Sequence, residues 1–284
     1  MFIRVKVGNE LTEVDTTKTT VLSTEGENKY YIDRVTYYLL KGIYGIPRLY
    51  GFIKGEPIEG WRQNFERYFI QNLKSELEVA KTWFTASFEI EMKSVLVRGN
   101  IQPSSIAAKV ELKERPEIKS SGIQANFEVD SFYFSSLEKP KPKIIPSSRA
   151  GLIYAFYKFL VFQYEGAPGI PKAFGIAADF INGMILPQGF SDVINGHKIW
   201  VNNEDGIVYL DTIPLHNAPS NVLSLLALKY YLTTATEGDF LIIEDPEAHL
   251  SEKEVSEIIN WIRNCKAKML ISTNDSRFGS LVNS

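Results

Sequence analysis

Cysteine is nearly missing from this sequence, with Cys265 the only one among 284 residues. That scarcity excludes an intrachain disulfide and a zinc site built from a cysteine cluster, and it suits a reducing cytoplasm. Histidine is almost as rare, and His197, His216 and His249 lie far apart in the chain, which argues against a His-rich metal site. A strong charge of either sign is lacking too. The 31 lysines and arginines against 34 acidic residues leave a formal net charge of −3, so no general polycationic surface points to nucleic acid, and only a local basic patch could do so. No run of eighteen apolar residues exists. The most apolar stretch, Gly151–Tyr164, carries Lys158 and Gln163 and is too short to span a bilayer. The opening MFIRVKVGNELTEVD alternates in polarity, unlike a signal peptide. The expectation is a cytoplasmic protein without a membrane partner. What is there is ordinary globular material, 44% hydrophobic and 23% charged, enough for one large domain or two small ones.

Phe2, Arg4 and Lys6 alternate with Ile3, Val5 and Val7, which predicts a half-buried strand. A second strand is expected over Thr17–Leu22. Ser23–Tyr31 follows, and then Ile32, Val35, Leu39 and Ile43 recur at helical spacing. Trp61, Phe65, Phe69, Leu73 and Leu77 repeat every fourth residue, an amphipathic helix whose aromatic stripe reads as core rather than as a stacking platform for bases. The period then changes to two around Phe88–Met92, Val110–Leu112 and Phe127–Val129, predicting antiparallel strands with one wet face. Glu138–Arg149 is rich in proline and lysine and reads as a linker or crossover, whose lysines are candidates for phosphate contact. Helices are expected over Gly151–Tyr164 and Pro171–Met184, and a hairpin over Lys198–Leu210 around Asn-Asn-Glu-Asp-Gly.

The last seventy residues are organised around LIIEDPEAHL. Phe240–Ile243 is a short apolar run, the pattern of a strand covered on both faces. It stops on Glu244 and Asp245. Ligands of open α/β sheets gather at the carboxyl ends of strands, so adjacent carboxylates there suit a metal and water site. A polar strand end before a proline turn is the plainer reading. Val222, Leu225, Leu226 and Leu228 predict a helix before this strand. Ser251 with Glu254 forms a capping box that starts another, and Lys268–Thr273 reads as a further buried strand, paired in parallel with the first through a right-handed crossover. His249, just after the turn, reads as structural.

Taken in order, these pieces resemble ABC-class ATPases of the SMC, RecF and OLD type, a branch of the P-loop NTPases. The resemblance rests on Ser23–Tyr30, an inserted antiparallel region, Ser220-Asn221, Glu244-Asp245-Pro246-Glu247 and Thr273-Asn274-Asp275. Ile144–Leu152 is also similar to a Pro-x-x-Arg-x-Gly segment of the OLD-like branch. The implied fold is α/β, an ABC ATPase-like domain over 1–284 with a mixed core sheet, an antiparallel β subdomain and a helical insertion. The inserted helix and strands would cover 58–148, and the signature, Walker B and switch region 215–284. The resemblance implies ATP and Mg²⁺ as cofactors, with Ser23, Gly26, Asn28, Lys29, Ser220 and Asn221 around the nucleotide. Glu244 would be the metal carboxylate, Asp245 would polarise the attacking water, and Asn274 would stand where the family senses the γ-phosphate.

Most of these positions depart from the family pattern. Ser23 and Asn28 replace loop glycines that let backbone N–H groups turn toward phosphate. Tyr30 stands where a Ser or Thr hydroxyl would bind Mg²⁺. Asp245 is one methylene shorter than the usual Glu, Asn274 replaces a His, and Asn221 replaces the signature glycine. The sequence therefore suggests a decayed nucleotide site on a binding or scaffold protein, in DNA maintenance or defence. Two alternatives stay open: an active ATPase with an unconventional loop that forms a homodimer on ATP, and a nucleic-acid binder using the Lys-rich linker and Arg149. A further protein partner is compatible with each of them.

Overall fold

The computed structural model describes residues 1–23, 28–48, 56–164 and 174–281. In chain order the elements are β1 (Phe2–Val7), β2 (Glu10–Asp15), β3 (Thr20–Leu22), α1 (Asn28–Tyr44), α2 (Pro57–Val79), β4 (Ala86–Glu91), β5 (Val95–Gln102), β6 (Ser105–Leu112), α3 (Ile123–Ser136) and β7 (Lys141–Ile145). They continue with α4 (Arg149–Tyr164), α5 (Gly175–Gly183), β8 (Ser191–Ile194), β9 (His197–Val201), β10 (Val208–Leu210), β11 (Ile213–Pro214), α6 (Ser220–Thr234), β12 (Asp239–Glu244), α7 (Glu252–Asn264) and β13 (Lys268–Ser272). This is a mixed α/β chain. It divides into two compact units, Met1–Thr20 with Gly26–Pro142 and Gly238–Phe240, and Val21–Glu25 with Lys143–Glu237 and Leu241–Ser284.

The first unit is built on an antiparallel sheet in the order β2-β1-β4-β5-β6. Ile3, Val5, Phe88, Ile90, Val95 and Val97 are buried from alternate positions, as the two-residue period requires. Helix α2 starts with Pro57 at its first turn, where a missing N–H costs nothing. Its Trp61, Phe65, Phe69, Leu73 and Leu77 are at most 1% exposed, so the aromatic stripe is core. Trp61 stacks on Tyr133 at 4.4 Å, and Phe69 meets Phe88 edge-on at 5.9 Å. A Cβ placed on Gly42 would lie 3.2 Å from the Phe69 ring, which is how closely α1 and α2 approach.

Three sequence expectations need correction here. Phe127–Val129 is helical, inside α3; the buried apolar residues there are Ala125, Val129 and Tyr133, a four-residue spacing that the short alternating run concealed. Part of the supposed linker is a strand, β7, with Pro142, Ile144 and Ile145 buried. The strand expected from Thr17 is only β3, because the Asp15 carboxylate accepts from the Thr17 N–H at 2.9 Å and holds a turn there. Strand β2 had no expectation of its own. It pairs with β1 across a turn at Gly8, whose φ is 60°.

The second unit holds two four-stranded sheets. One has the order β3-β13-β12-β7, the other β11-β10-β9-β8. The expected hairpin is β9–β10, paired Val208 to Val201 through Leu210 to Ile199. Leu241 and Ile243 of β12, Met269 and Ile271 of β13, Val222, Leu223 and Leu225–Leu228 of α6 and Val255, Ile258 and Ile262 of α7 share one hydrophobic core. All six residues of β12 are buried, which accounts for its unbroken apolar run. The capping box at Ser251 is formed, with Glu254 N–H donating to the serine hydroxyl and the Glu254 carboxylate accepting in return.

Candidate functional site

Three strands of the second unit end side by side. Thr273 N–H, just past β13, donates to Leu22 O at the end of β3 at 3.0 Å, and Asp245 N–H, just past β12, donates to Ser272 O at 2.7 Å. Ser23, Thr273 and Asp245 therefore follow one another along a single edge of the sheet, at the carboxyl ends where α/β sheets bind ligands. The Glu244 carboxylate is 1% exposed and accepts from Ser147 N–H at 3.3 Å. Asp245 follows in a left-handed conformation, φ 40°, and His249 in another, φ 68°. Asp and His adopt such angles more readily than most non-glycine residues, still at some cost, and the backbone from Glu244 to Ala248 is bonded along its length.

Arg149 supplies much of that bonding. The first residue of α4 is fully buried, and its guanidinium donates to Glu244 O at 3.1 Å, Asp245 O at 3.0 Å, Pro246 O at 2.9 Å and Ala248 O at 3.2 Å. Its Nε donates to the Ser224 hydroxyl of α6 at 2.7 Å, and that hydroxyl donates to Ala248 O at 3.2 Å. Burial pushes the Arg149 guanidinium down to about 10, against the pull of Glu247, Asp245 and Glu244; it stays charged at neutral pH. This corrects the reading of Arg149 as a nucleic-acid contact, because all of its N–H groups face the protein interior. The sequence displayed the arginine but not its task, which is to bond backbone carbonyls a hundred residues away.

Glu247 ties the turn to the next loop. Its carboxylate accepts from the Thr273 hydroxyl and from Asn274 N–H, both at 2.8 Å. Asn274 itself is exposed. At α6, Ser220 is exposed at the first helical position, while the Asn221 amide donates to the Glu254 carboxylate at 2.8 Å. Asn195 donates to the same oxygen at 3.0 Å. Burial works to raise the Glu254 pKa, but hydrogen bonds from Ser251 and Asn221 outweigh it and hold the carboxyl below its usual range. His249 is exposed, so its contribution is to the backbone of the turn.

Ser23 is exposed at the end of β3, and Gly26 lies outside the described residues. Asn28 and Lys29 open α1 in the first unit. Asn28 is exposed, whereas Lys29 is 1% exposed, with its ammonium 5.0 Å from the centroid of the Tyr30 ring. The sheet edge thus brings together Ser23, Glu244, Asp245 and Asn274, and Asn221 joins the residues after the turn through Glu254. Among the described residues no three His, Cys, Asp or Glu side chains form a metal-holding group. One carboxylate at a strand end suits Mg²⁺ only when phosphate oxygens and water supply the other ligands; Glu244 would be the residue to hold it.

No protein family matches this chain, and no curated protein matches it. Among solved structures, the crystal structure of the SmcHead bound to the C-winged helix domain of ScpA is similar, at 11% identity and a TM-score of 0.46, over 99% of this chain and 91% of that one.

Proposed function

We propose that the second unit carries a nucleotide site of the ABC ATPase type in which hydrolysis is weak or lost, so that the protein works as a binding or scaffold component. The observation that carries the reading is the row of strand ends. Ser23, Thr273 and Asp245 follow one another along one sheet edge through the 3.0 and 2.7 Å hydrogen bonds, in the arrangement that the order of motifs in the sequence implies. Three further observations favour the weakened form. In the order of motifs, Tyr30 stands in place of the short hydroxyl that would serve Mg²⁺. Asn221 is held within its own chain by Glu254 rather than left to cap nucleotide on a second subunit. Asp245, the residue that would polarise water, is one methylene shorter than the Glu it stands for, and a base about 1 Å out of place can lose on the order of a hundredfold in rate.

Calorimetric titration with ATP and Mg²⁺, paired with a steady-state ATPase assay on wild type and Asp245→Ala, tests this. Binding without turnover above the Asp245→Ala control is the expected result. Turnover that the substitution removes would establish an active enzyme instead, and absence of any ATP binding would remove the nucleotide reading. Of the linker lysines, Lys139 donates to Ile46 O and lies 4.2 Å from the Phe134 ring centroid, whereas Lys141 is exposed.

A further inference from the structure

We infer that Arg149 is a positioning residue that locks the acidic turn, 244–250, and helix α6 into one rigid piece. Four carbonyls within five consecutive residues accept from its two terminal nitrogens, Glu244 and Asp245 from one, Pro246 and Ala248 from the other. A planar fork with fixed donor directions can satisfy two such pairs at once; an ammonium of equal charge cannot. The third nitrogen reaches Ser224 in the middle of α6, and Ser224 closes the triangle on Ala248. Another bond, one turn earlier in the helix, ties α6 to the start of α7, where Asn221 donates to Glu254, itself bonded to Ser251, the N-cap that follows the turn. The turn is thus fastened to α6 directly through Arg149 and Ser224, and the helix that follows the turn is fastened to α6 through Asn221. Buried carbonyls without donors are costly, so the turn has no low-energy alternative while the guanidinium is in place. The left-handed backbone at Asp245 and His249 is strain that this lock holds, and it sets where the Asp245 carboxylate points.

The lock concerns the protein alone, whether or not nucleotide binds. Its test is hydrogen exchange of the full chain, comparing wild type, Arg149→Lys and Ser224→Ala. The reporting amides are those of Asp245, Ala248 and Leu250, which donate to Ser272 O, Asp245 O and Glu247 O. In Arg149→Lys they should exchange about tenfold faster or more, with the amides of β4, β5 and the middle of β13 unchanged, the mark of local rather than global opening. Ser224→Ala should speed the same amides by a smaller factor, and it carries the test alone if the lysine variant fails to fold. Equal acceleration throughout the second unit would make Arg149 an ordinary stabiliser, and unchanged turn amides in both variants would show that the turn holds itself; either result overturns the inference. Absence of ATP binding by the wild type with the exchange pattern as expected would count against the nucleotide reading only.

Discussion

On the wet face of the five-stranded sheet in the first unit, Arg4, Glu89, Arg98 and Glu111 form a ladder of ion pairs between neighbouring strands, with Lys113 and Glu91 beside it. In the second unit a single arginine, Arg149, is buried and directs its donors at backbone carbonyls. The ladder is solvated. Its hydrogen bond from Arg98 holds Glu89 below the usual carboxylate range, yet water and salt compete for every partner, so the arrangement fixes little. The buried guanidinium has surrendered its hydration and must be repaid by geometry, which is why it dictates a backbone path. Exposed charge lines the sheet of one unit, and a buried charge shapes the acidic turn of the other.

The sharpest way to break that contrast is to remove the buried charge. Arg149→Met takes the guanidinium donor from four buried carbonyls, of which Asp245 O and Ala248 O keep a second donor, and should destabilise the second unit by about 3 kcal/mol or more, read as a fall in the denaturant midpoint followed by hydrogen exchange of β12 and β13. A loss below about 1 kcal/mol would place Arg149 with the surface ladder. Next in size is the capping box. Ser251→Ala should cost about 1 kcal/mol, the worth of an N-cap, visible in the exchange of the first turn of α7. The partner carboxylate adds a pH dependence of known sign. Glu254 is held below its unfolded value, so its contribution is complete above about pH 4.3 and is lost as pH falls through the lower folded value. In Glu254→Gln that acid-side dependence should shrink. The smallest effect is expected at the ladder, where Arg98→Ala should shift the unfolding midpoint slightly at low salt and not measurably near 1 M, where screening reaches about 3 Å. An effect that survives salt would mean that the ladder, too, is structural.

Parts of this could be read directly from the chain. The four-residue stripe from Trp61 to Leu77 and the apolar run into Glu244 each have a period or a length that only one element satisfies, and both are formed where expected. The capping box is a local pattern of four residues and needs no tertiary context. Phe127–Val129 misled because three alternating residues fit two periods equally well, and only packing against Trp61 through Tyr133 decides for the helix. The candidate site was legible as a list of residues, Ser23, Glu244, Asp245 and Asn274, without any means of seeing that three strand ends would place them in one row.

By itself, then, the sequence determined which segments bury which faces, because periodicity and capping are properties of neighbouring residues. The use of Arg149 was decided by tertiary structure alone. A lone arginine before an apolar helix carries no local sign of its partners, and carbonyl oxygens are the same at every residue. Only folding brings those of Glu244, Asp245, Pro246 and Ala248 to the guanidinium from about a hundred positions away. Burial then makes the bonds strong enough to set the shape of the turn on which Asp245 stands.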